Sequence, residues 1–183
     1  MLFGNTVALG PIFPVDLERL FRWMDNIDDA RLNEPYRPQN WQHQEAFWLN
    51  ADNDATRVFF AIRVQEAPHI VGFVQIHKIH PIHRSATIGI RIGEAEDRGK
   101  GLATDAMAVA IEYCWRDLNL SRLELNVFSH NQAARQLYHR LGFIEEGTSR
   151  HALYMGGEWV DVVNMALLRP DRVAPMPSSF TTG

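Results

Sequence analysis

A short glycine-rich segment, residues 98–103, carries the clearest chemical signal in the sequence. It lies where an apolar strand pattern, residues 86–92, gives way to a helical pattern. The first-turn amides of a helix have no partners inside it, and the helix dipole favours negative charge there. Gly99 and Gly101 allow the main chain to approach a bulky anion, and Arg98 and Lys100 add positive charge. The segment therefore predicts a phosphate or pyrophosphate site.

Three alternative roles for this segment can be compared with its residues. Gly99 and Gly101 could serve only to allow a tight turn between strand and helix. A Walker A loop is excluded because no Gly-Lys-Ser/Thr follows the required four-residue gap. A dinucleotide-binding G-x-G-x-x-G loop is excluded because Thr104 stands where the third glycine would be. These absences disfavour NTPases and dinucleotide-dependent enzymes.

Asn131 and Tyr138 form a second pair of candidate residues. They are about two helical turns apart, so their side chains project from similar faces of a helix predicted over residues 131–141. Taken alone, Asn131 is explained as a helix cap. Tyr138 alone is explained as a core aromatic, because it is spaced helically with Leu137 and Leu141. The pair acquires a chemical meaning only together with the glycine-rich segment.

The two segments combine into one longer pattern. It reads Arg98-x-x-Gly101-x-Ala103, then Asn131-x-x-Ala134-x-x-x-Tyr138-x-x-x-Gly142-Phe143. This pattern resembles the GNAT superfamily of N-acetyltransferases, most strongly over residues 84–168. Within the superfamily it is similar to the group that contains ribosomal-protein N-terminal acetyltransferases and spermidine acetyltransferases. The resemblance implies acetyl-CoA as cosubstrate, with no metal, and transfer of its acetyl group to a primary amine.

The resemblance also implies a role for each cofactor-binding residue. The pyrophosphate of CoA would lie on the segment formed by Arg98, Gly99, Lys100, Gly101, Leu102, Ala103 and Thr104. Main-chain groups of Ile90 and Ile92 would pair with the pantetheine arm as an added strand, and Asn131 would contact the same arm. Tyr138 would also contact CoA and would protonate the departing thiolate.

The base that deprotonates the amine is not identified by the sequence. An alkylammonium has a pKa of about 10, so a base normally removes its proton before attack. Several relatives carry a glutamate where this chain has Thr87. Glu34 is the catalytic candidate for this role, because its loop lies where related enzymes form the acceptor pocket. His77, His80 and His83 remain alternatives, since neutral imidazole is a suitable base near pH 7.

The order of the predicted elements indicates an α/β fold with a mixed, mainly antiparallel sheet flanked by helices. Strands are expected over residues 6–12, 57–64, 70–79, 86–92 and 122–128, with a final hairpin over 144–168. A long helix is expected from about residue 100 to residue 118, and its buried stripe is expected to contain Leu102, Ala106, Val109, Ala110 and Tyr113. The resemblance implies a splayed strand pair at the CoA slot. We expect one domain over residues 1–169 and a Pro/Ser/Thr-rich tail over 170–183.

Composition limits the remaining function classes. The chain has 183 residues, of which 46% are hydrophobic, and a formal net charge of -4, which disfavours nucleic acid as a partner. The single cysteine, Cys114, lies among apolar residues and is expected to be a buried thiol. No stretch resembles a signal peptide or a transmembrane helix, so we expect a cytoplasmic protein without membrane contact. The sequence is compatible with a homodimer.

The expected function is therefore acetyl transfer from acetyl-CoA to a small-molecule amine or a protein N-terminus. One alternative is a regulatory domain that binds acyl-CoA without catalysis, because Thr87 replaces the glutamate of several relatives. A kinase-like NTPase is a further rival, but the sequence lacks its lysine and its acidic metal ligands.

Overall fold

The computed structural model describes residues 1–30, 36–50, 54–65 and 69–170. The helices are α1 (Leu17–Met24), α2 (Ile27–Ala30), α3 (Trp41–Leu49), α4 (Leu102–Arg116) and α5 (Gln132–Arg140). The strands are β1 (Leu2–Phe3), β2 (Val7–Gly10), β3 (Val58–Val64), β4 (Ile70–His80), β5 (Ser85–Ile92), β6 (Arg122–Phe128), β7 (Ile144–Met155) and β8 (Glu158–Leu168).

The strands form one eight-stranded sheet in the order β1-β2-β3-β4-β5-β6-β8-β7. Within the described ranges, β5 and β6 are the one parallel pair, and the other neighbours are antiparallel. The helix α4 supplies the crossover that a parallel pair requires. The predicted α/β class with a mixed, mainly antiparallel sheet is confirmed.

The parallel pair separates soon after it begins. Ser85, Ala86 and Thr87 pair with residues 122–124, and the register ends there. Beyond that point β5 keeps its bonds to β4 as far as Ile92, while β6 keeps its bonds to β8 as far as Phe128. The two strands therefore diverge and open a gap in the middle of the sheet, which confirms the expected splayed pair.

Two apolar layers hold the sheet between helices. On one face, α4 and α5 bury Met107, Cys114 and Leu137 in the larger cluster. On the other face, Trp23 of α1 and Trp48 of α3 belong to a smaller cluster. On that side α1 also contacts β5, where Arg91 lies against Met24. Among the described residues, the polar positions Thr87 on β5 and Glu124 on β6 lie outside the smaller cluster.

Two details of the helix α4 differ from the sequence prediction. The helix begins at Leu102 rather than near residue 100, because the positive φ of Gly101 makes that residue the N-cap. Its buried stripe contains the predicted Leu102, Ala106 and Ala110 together with Met107 and Cys114, whereas Val109 and Tyr113 are half-buried. Burial raises the pKa of the Cys114 thiol to about 12, so it stays protonated at neutral pH, as expected of a core thiol.

The C-terminal end of the chain is described as far as residue 170. Residues 171–183 lie outside the described residues, so the proposed boundary after residue 169 stays a prediction. The predicted final hairpin is confirmed: β7 and β8 pair across Gly156 and Gly157, which both have positive φ.

Candidate active site

A cleft of about 580 Å³ occupies the gap between β5 and β6 and continues to the start of α4. Its walls come from β5, β6, α5 and the glycine-rich segment. The lining includes Gln75, residues 88–92, Asp97, Arg98, Gly99, residues 101–104, residues 126–128, Asn131, Ala133, Ala134, Leu137, Tyr138 and Arg140. The fold thus brings together the glycine-rich segment and the helix that carries Asn131 and Tyr138.

The glycine-rich segment ends in an uncapped helix N-terminus. Gly99 and Gly101 have φ of 76° and 82°, a region that favours glycine, and a Cβ on either would meet no atom within 4 Å. Gly101 caps α4 without a side-chain hydrogen bond. Among the described residues no acceptor serves the amides of Leu102, Ala103 and Thr104. The arrangement suits an anion such as a pyrophosphate.

The two cations of the segment lie in different places. The Arg98 guanidinium donates to the main-chain carbonyls of Gly93 at 2.9 Å and Ile92 at 3.4 Å, so it holds the segment against the end of β5. The Lys100 ammonium lies 3.2 Å from the Asp97 carboxylate, and Lys100 lies outside the cleft lining. Any attraction of Lys100 for an anion is therefore indirect.

The exposed edge of β5 presents main-chain groups to the gap. The amide of Gly93 donates to the carbonyl of Val71 at 3.0 Å. Hydrogen bonding alternates along an antiparallel ladder, so Gly89 and Arg91 also bond towards β4. The N–H and C=O groups of Ile90 and Ile92 consequently point into the gap. An extended chain that enters the gap could pair with them as an added strand.

Asn131 caps the helix α5, as its position in the sequence predicts. Its side-chain oxygen accepts a hydrogen bond from the amide of Ala134 at 3.1 Å. Asn131 also lines the cleft, together with Ala134 one turn later. The cap fixes the start of α5, and this in turn places Tyr138 on the same wall.

Tyr138 belongs to the core and to the cleft at once. Its side chain is 6% exposed, and its ring packs edge-on against Phe143 with centroids 5.8 Å apart. In the described part of the chain the hydroxyl has no hydrogen-bond partner. Burial raises the pKa of the phenol to about 12, so the group keeps its proton at neutral pH. A protonated phenol in this cleft can act as a proton donor.

The remaining sequence candidates lie elsewhere. Glu34 lies outside the described residues. His80, the last residue of β4, stacks on His83 of the following turn with ring centroids 4.1 Å apart, and both lie away from the cleft lining. His77 lies on β4 directly opposite Thr87. The structure therefore separates His77 from the other two histidines.

Gln75 and Asn126 line the cleft although the sequence pattern did not select them. Gln75 lies opposite Gly89 across β4 and β5, and Asn126 lies opposite Asn164 across β6 and β8. Asn164 donates to the hydroxyl of Ser149 at 3.2 Å. Only the strand register, which a single sequence does not reveal, could have selected these residues.

Metal sites and membrane spans are both missing from the described residues. Among residues 1–30, 36–50, 54–65 and 69–170, no group of three or more His, Cys, Asp or Glu side chains could hold a metal ion. Within the same ranges, none of the helices is long and apolar enough to cross a membrane.

A sheet that splits beside an uncapped helix N-terminus, with a buried phenol on the opposite wall, defines an acyl-CoA-dependent transferase. Residues 7–144 match the family described as the acetyltransferase (GNAT) domain. The chain belongs to this family, so the predicted acetyl-CoA-dependent N-acetyltransferase activity is confirmed at the level of the family.

Named relatives include two kinds of acetyltransferase. The chain is 35% identical over 179 residues to a spermidine N(1)-acetyltransferase of Escherichia coli, covering 93% of this chain and 90% of that one. It is 28% identical over 135 residues to the [ribosomal protein uS5]-alanine N-acetyltransferase of the same organism, with 73% and 69% covered.

Solved structures agree with this assignment. The spermidine N-acetyltransferase of Vibrio cholerae, in complex with CoA and spermine, superposes with a TM-score of 0.82 at 28% identity, over 90% of this chain and 96% of that one. A structure of that enzyme described as dodecameric gives a TM-score of 0.76 at 26% identity, over 90% and 94%.

Proposed function

We propose that this chain binds acetyl-CoA along the gap between β5 and β6 and transfers the acetyl group to a primary amine that enters from the sheet face that carries Gln75 and Asn126. The observation that carries the proposal is the orientation of the Ile90 and Ile92 main-chain groups into a gap that ends at an uncapped helix N-terminus. These features together fit an extended arm joined to a pyrophosphate.

The binding roles follow from the geometry. The amides of residues 101–104 would hold the pyrophosphate, and Arg98 would fix the segment through its bonds to the end of β5. Ile90 and Ile92 would pair with the pantetheine arm, and Asn131 would contact it from the wall of α5. Acetyl-CoA supplies an acetyl thioester, whose carbonyl carbon is the electrophile.

The proton donor and the incoming amine are proposed to act from opposite sides of the gap. Tyr138 belongs to the cluster on the α4 and α5 side, and its proton would go to the sulfur as the carbon–sulfur bond breaks. The amine would approach from the other side, past Gln75 and Asn126. A main-chain N–H of β5 would stabilise the negative charge on the thioester oxygen, a contribution that is typically about 3 kcal/mol.

The acceptor is proposed from the relatives and from the cleft. The named relatives act on spermidine or on the alanine N-terminus of a ribosomal protein, and both acceptors carry a primary amine. We propose the same chemical class for this chain. The polar side chains of Gln75 and Asn126 in the cleft lining are compatible with either acceptor.

Two further proposals concern the setting of the enzyme. A cytoplasmic location is proposed because acetyl-CoA is made and used there. Self-association as a homodimer or larger assembly is proposed because β7 is a long edge strand with Ile144 exposed, and because a structural relative is described as dodecameric. Light scattering of the purified protein measures the assembly directly.

Release of free CoA thiol tests the activity. Purified protein is mixed with acetyl-CoA and, in separate reactions, with spermidine, spermine or a peptide that begins with alanine. We expect acceptor-dependent thiol release with at least one amine and an acetylated product by mass spectrometry. Thiol release equal to the rate without protein for all amines would contradict the proposal.

A non-catalytic acyl-CoA-binding role is the second candidate. The presence of threonine at position 87, where several relatives carry a glutamate, favours it. Calorimetry measures the binding of acetyl-CoA and a turnover assay measures thiol release, and together they distinguish the enzyme from a binding domain. Binding of acetyl-CoA without thiol release would support the regulatory role. Binding of ATP in place of acetyl-CoA would support an NTPase instead.

A further inference from the structure

A row of polar side chains crosses the sheet at the point where β5 and β6 separate. His77 on β4 lies opposite Thr87 on β5, and Thr87 lies opposite Glu124 on β6. Residues directly opposite each other in a ladder point to the same face. The row therefore lies side by side on one face, at the last pair before the gap opens.

The face that carries this row is the one on which α1 and α3 pack. Phe73, four residues before His77 on the same strand face, packs on Trp48 of α3 with ring centroids 4.9 Å apart. Ile76 and Ile88 belong instead to the core beneath α4 and α5. His77 thus lies on the side from which we propose that the amine enters, opposite Tyr138.

His77 also lies close to the reacting end of the cleft. Gln75, two residues earlier on the same face, lines the cleft, and a Cβ on Gly89 would be 3.1 Å from its Nε2 atom. Two residues of a strand span about 7 Å. His77 itself does not line the cleft, so its imidazole would reach an amine beside Gln75 through a bridging water.

Charged groups lie near His77 on its own strand and on both neighbouring strands. Lys78 is its neighbour in the chain. On the β3 side, Arg57 is paired with Asp54 at 3.2 Å and lies over the Phe47 ring. On the β6 side, Glu124 is paired with Arg122 at 2.7 Å. Partial burial, and to a lesser extent the charge of Lys78, lower the pKa of His77.

We propose that His77 is the general base of the reaction, in place of the glutamate that position 87 lacks. This proposal rests on the acetyl transfer proposed above. His77 takes one proton from the ammonium group of the acceptor through a bridging water held beside Thr87. The neutral amine nitrogen then forms the bond to the acetyl carbon.

The protons balance in this scheme. The ammonium nitrogen loses two protons on becoming an amide: one passes through His77 to solvent, and the other becomes available as the carbon–nitrogen bond forms. The carbon–sulfur bond breaks, and the sulfur takes the Tyr138 proton. The second nitrogen proton restores the Tyr138 hydroxyl through solvent. One proton is released per turnover.

Replacement of His77 by glutamine tests the proposal. We expect kcat to fall about 100-fold, in the range typical of general bases, with the KM for acetyl-CoA unchanged. The acidic limb of the kcat/KM profile should lose its inflection near or below pH 6.5. Added imidazole should restore part of the rate of His77→Ala. The control, His80→Gln, changes the same residue type at the end of the same strand and should behave as wild type.

The outcomes separate this proposal from the proposed function. An inactive wild-type protein overturns the acetyl transfer itself. Active wild type together with a fully active His77→Gln variant that keeps the inflection overturns the role of His77 alone. If Glu34→Gln removes the inflection and His77→Gln does not, the base is Glu34. Circular dichroism of each variant checks that a loss of rate is not a loss of folding.

Discussion

The indole of Trp23 packs directly on the main chain of Gly93, so closely that a Cβ at residue 93 would overlap the ring. The same indole donates to the Glu94 carboxylate at 3.0 Å. The helix α1 is thereby joined to the end of β5, immediately before the segment proposed to bind pyrophosphate. The main chain of Gly93 therefore belongs both to a core contact and to the stretch that leads into the candidate active site.

Replacement of Gly93 by alanine should therefore disturb stability and binding together. Overpacking of this kind typically costs about 1 to 3 kcal/mol, and displacement of the β5 end should raise the KM for acetyl-CoA. Thermal unfolding and steady-state kinetics measure the two effects. Gly147→Ala is the matched control, because a Cβ there meets no atom within 4 Å. Equal melting temperatures for the two variants would contradict this packing.

Tyr138→Phe should lower kcat and leave the affinity for acetyl-CoA nearly unchanged. The hydroxyl has no partner among the described residues, so its removal costs little stability, while a proton donor of this kind typically contributes about 100-fold or more to the rate. Tyr154→Phe, at an exposed tyrosine on β7, is the control. An unchanged kcat in Tyr138→Phe would remove this residue from the acid role.

Gly101→Ala should weaken acetyl-CoA binding by a backbone effect. Alanine at positive φ costs roughly 1 to 2 kcal/mol, and relief of that strain would rotate the first-turn amides of α4. Gly156→Ala provides a matched control, since Gly156 also has positive φ but lies in the β7–β8 turn. Both variants should have a lower melting temperature than the wild type, and only Gly101→Ala should raise the KM for acetyl-CoA. A raised KM in both would show that strain alone is responsible.

Asp105 should make stability depend on pH in acid. Its carboxylate accepts the main-chain amides of Asn5, Thr6 and Val7 at 2.7 to 3.0 Å. Burial raises the pKa of Asp105, but the amide hydrogen bonds outweigh burial and set the pKa below its usual value. The stabilisation is therefore complete above about pH 4, the unfolded pKa, and is lost as pH falls through the lower folded pKa.

The test for Asp105 is urea unfolding of Asp105→Ala at several pH values. We expect a loss of about 1 to 2 kcal/mol at pH 7, and a difference from wild type that shrinks towards the folded pKa in acid. Asp117→Ala, at an exposed carboxylate beyond the other end of α4, is the control. A pH-independent difference would show that the carboxylate charge is not responsible.

Local signals predicted the elements and part of the cleft. The glycines at 99 and 101 and the cap at Asn131 act through main chain within a few residues, so a linear pattern can specify them. The two cations of the loop were less predictable. Arg98 and Lys100 are two residues apart, but Arg98 bonds to β5 carbonyls whereas Lys100 pairs with Asp97. Side-chain direction depends on the fold of the loop, which residue type does not report.

The position of Tyr138 shows the same division. Its spacing from Asn131 predicted that the two side chains share a helical face. The sequence left two roles open for Tyr138, a core aromatic and a proton donor. The structure shows a ring inside the core and a residue that also lines the cleft. The two interpretations are compatible because α5 forms a wall between core and gap.

The sequence by itself determined the class of fold and the segment suited to an anion, because these follow from periodicity, glycine placement and a helix terminus. The family came from the resemblance of the combined motif to the GNAT superfamily. Only the tertiary structure decided which strand residues meet at the gap. His77 and Thr87 are ten residues apart in the chain and directly opposite in the sheet, and Glu124 joins them from a strand beyond α4. Strand register depends on the packing of the whole sheet, so no local pattern encodes it.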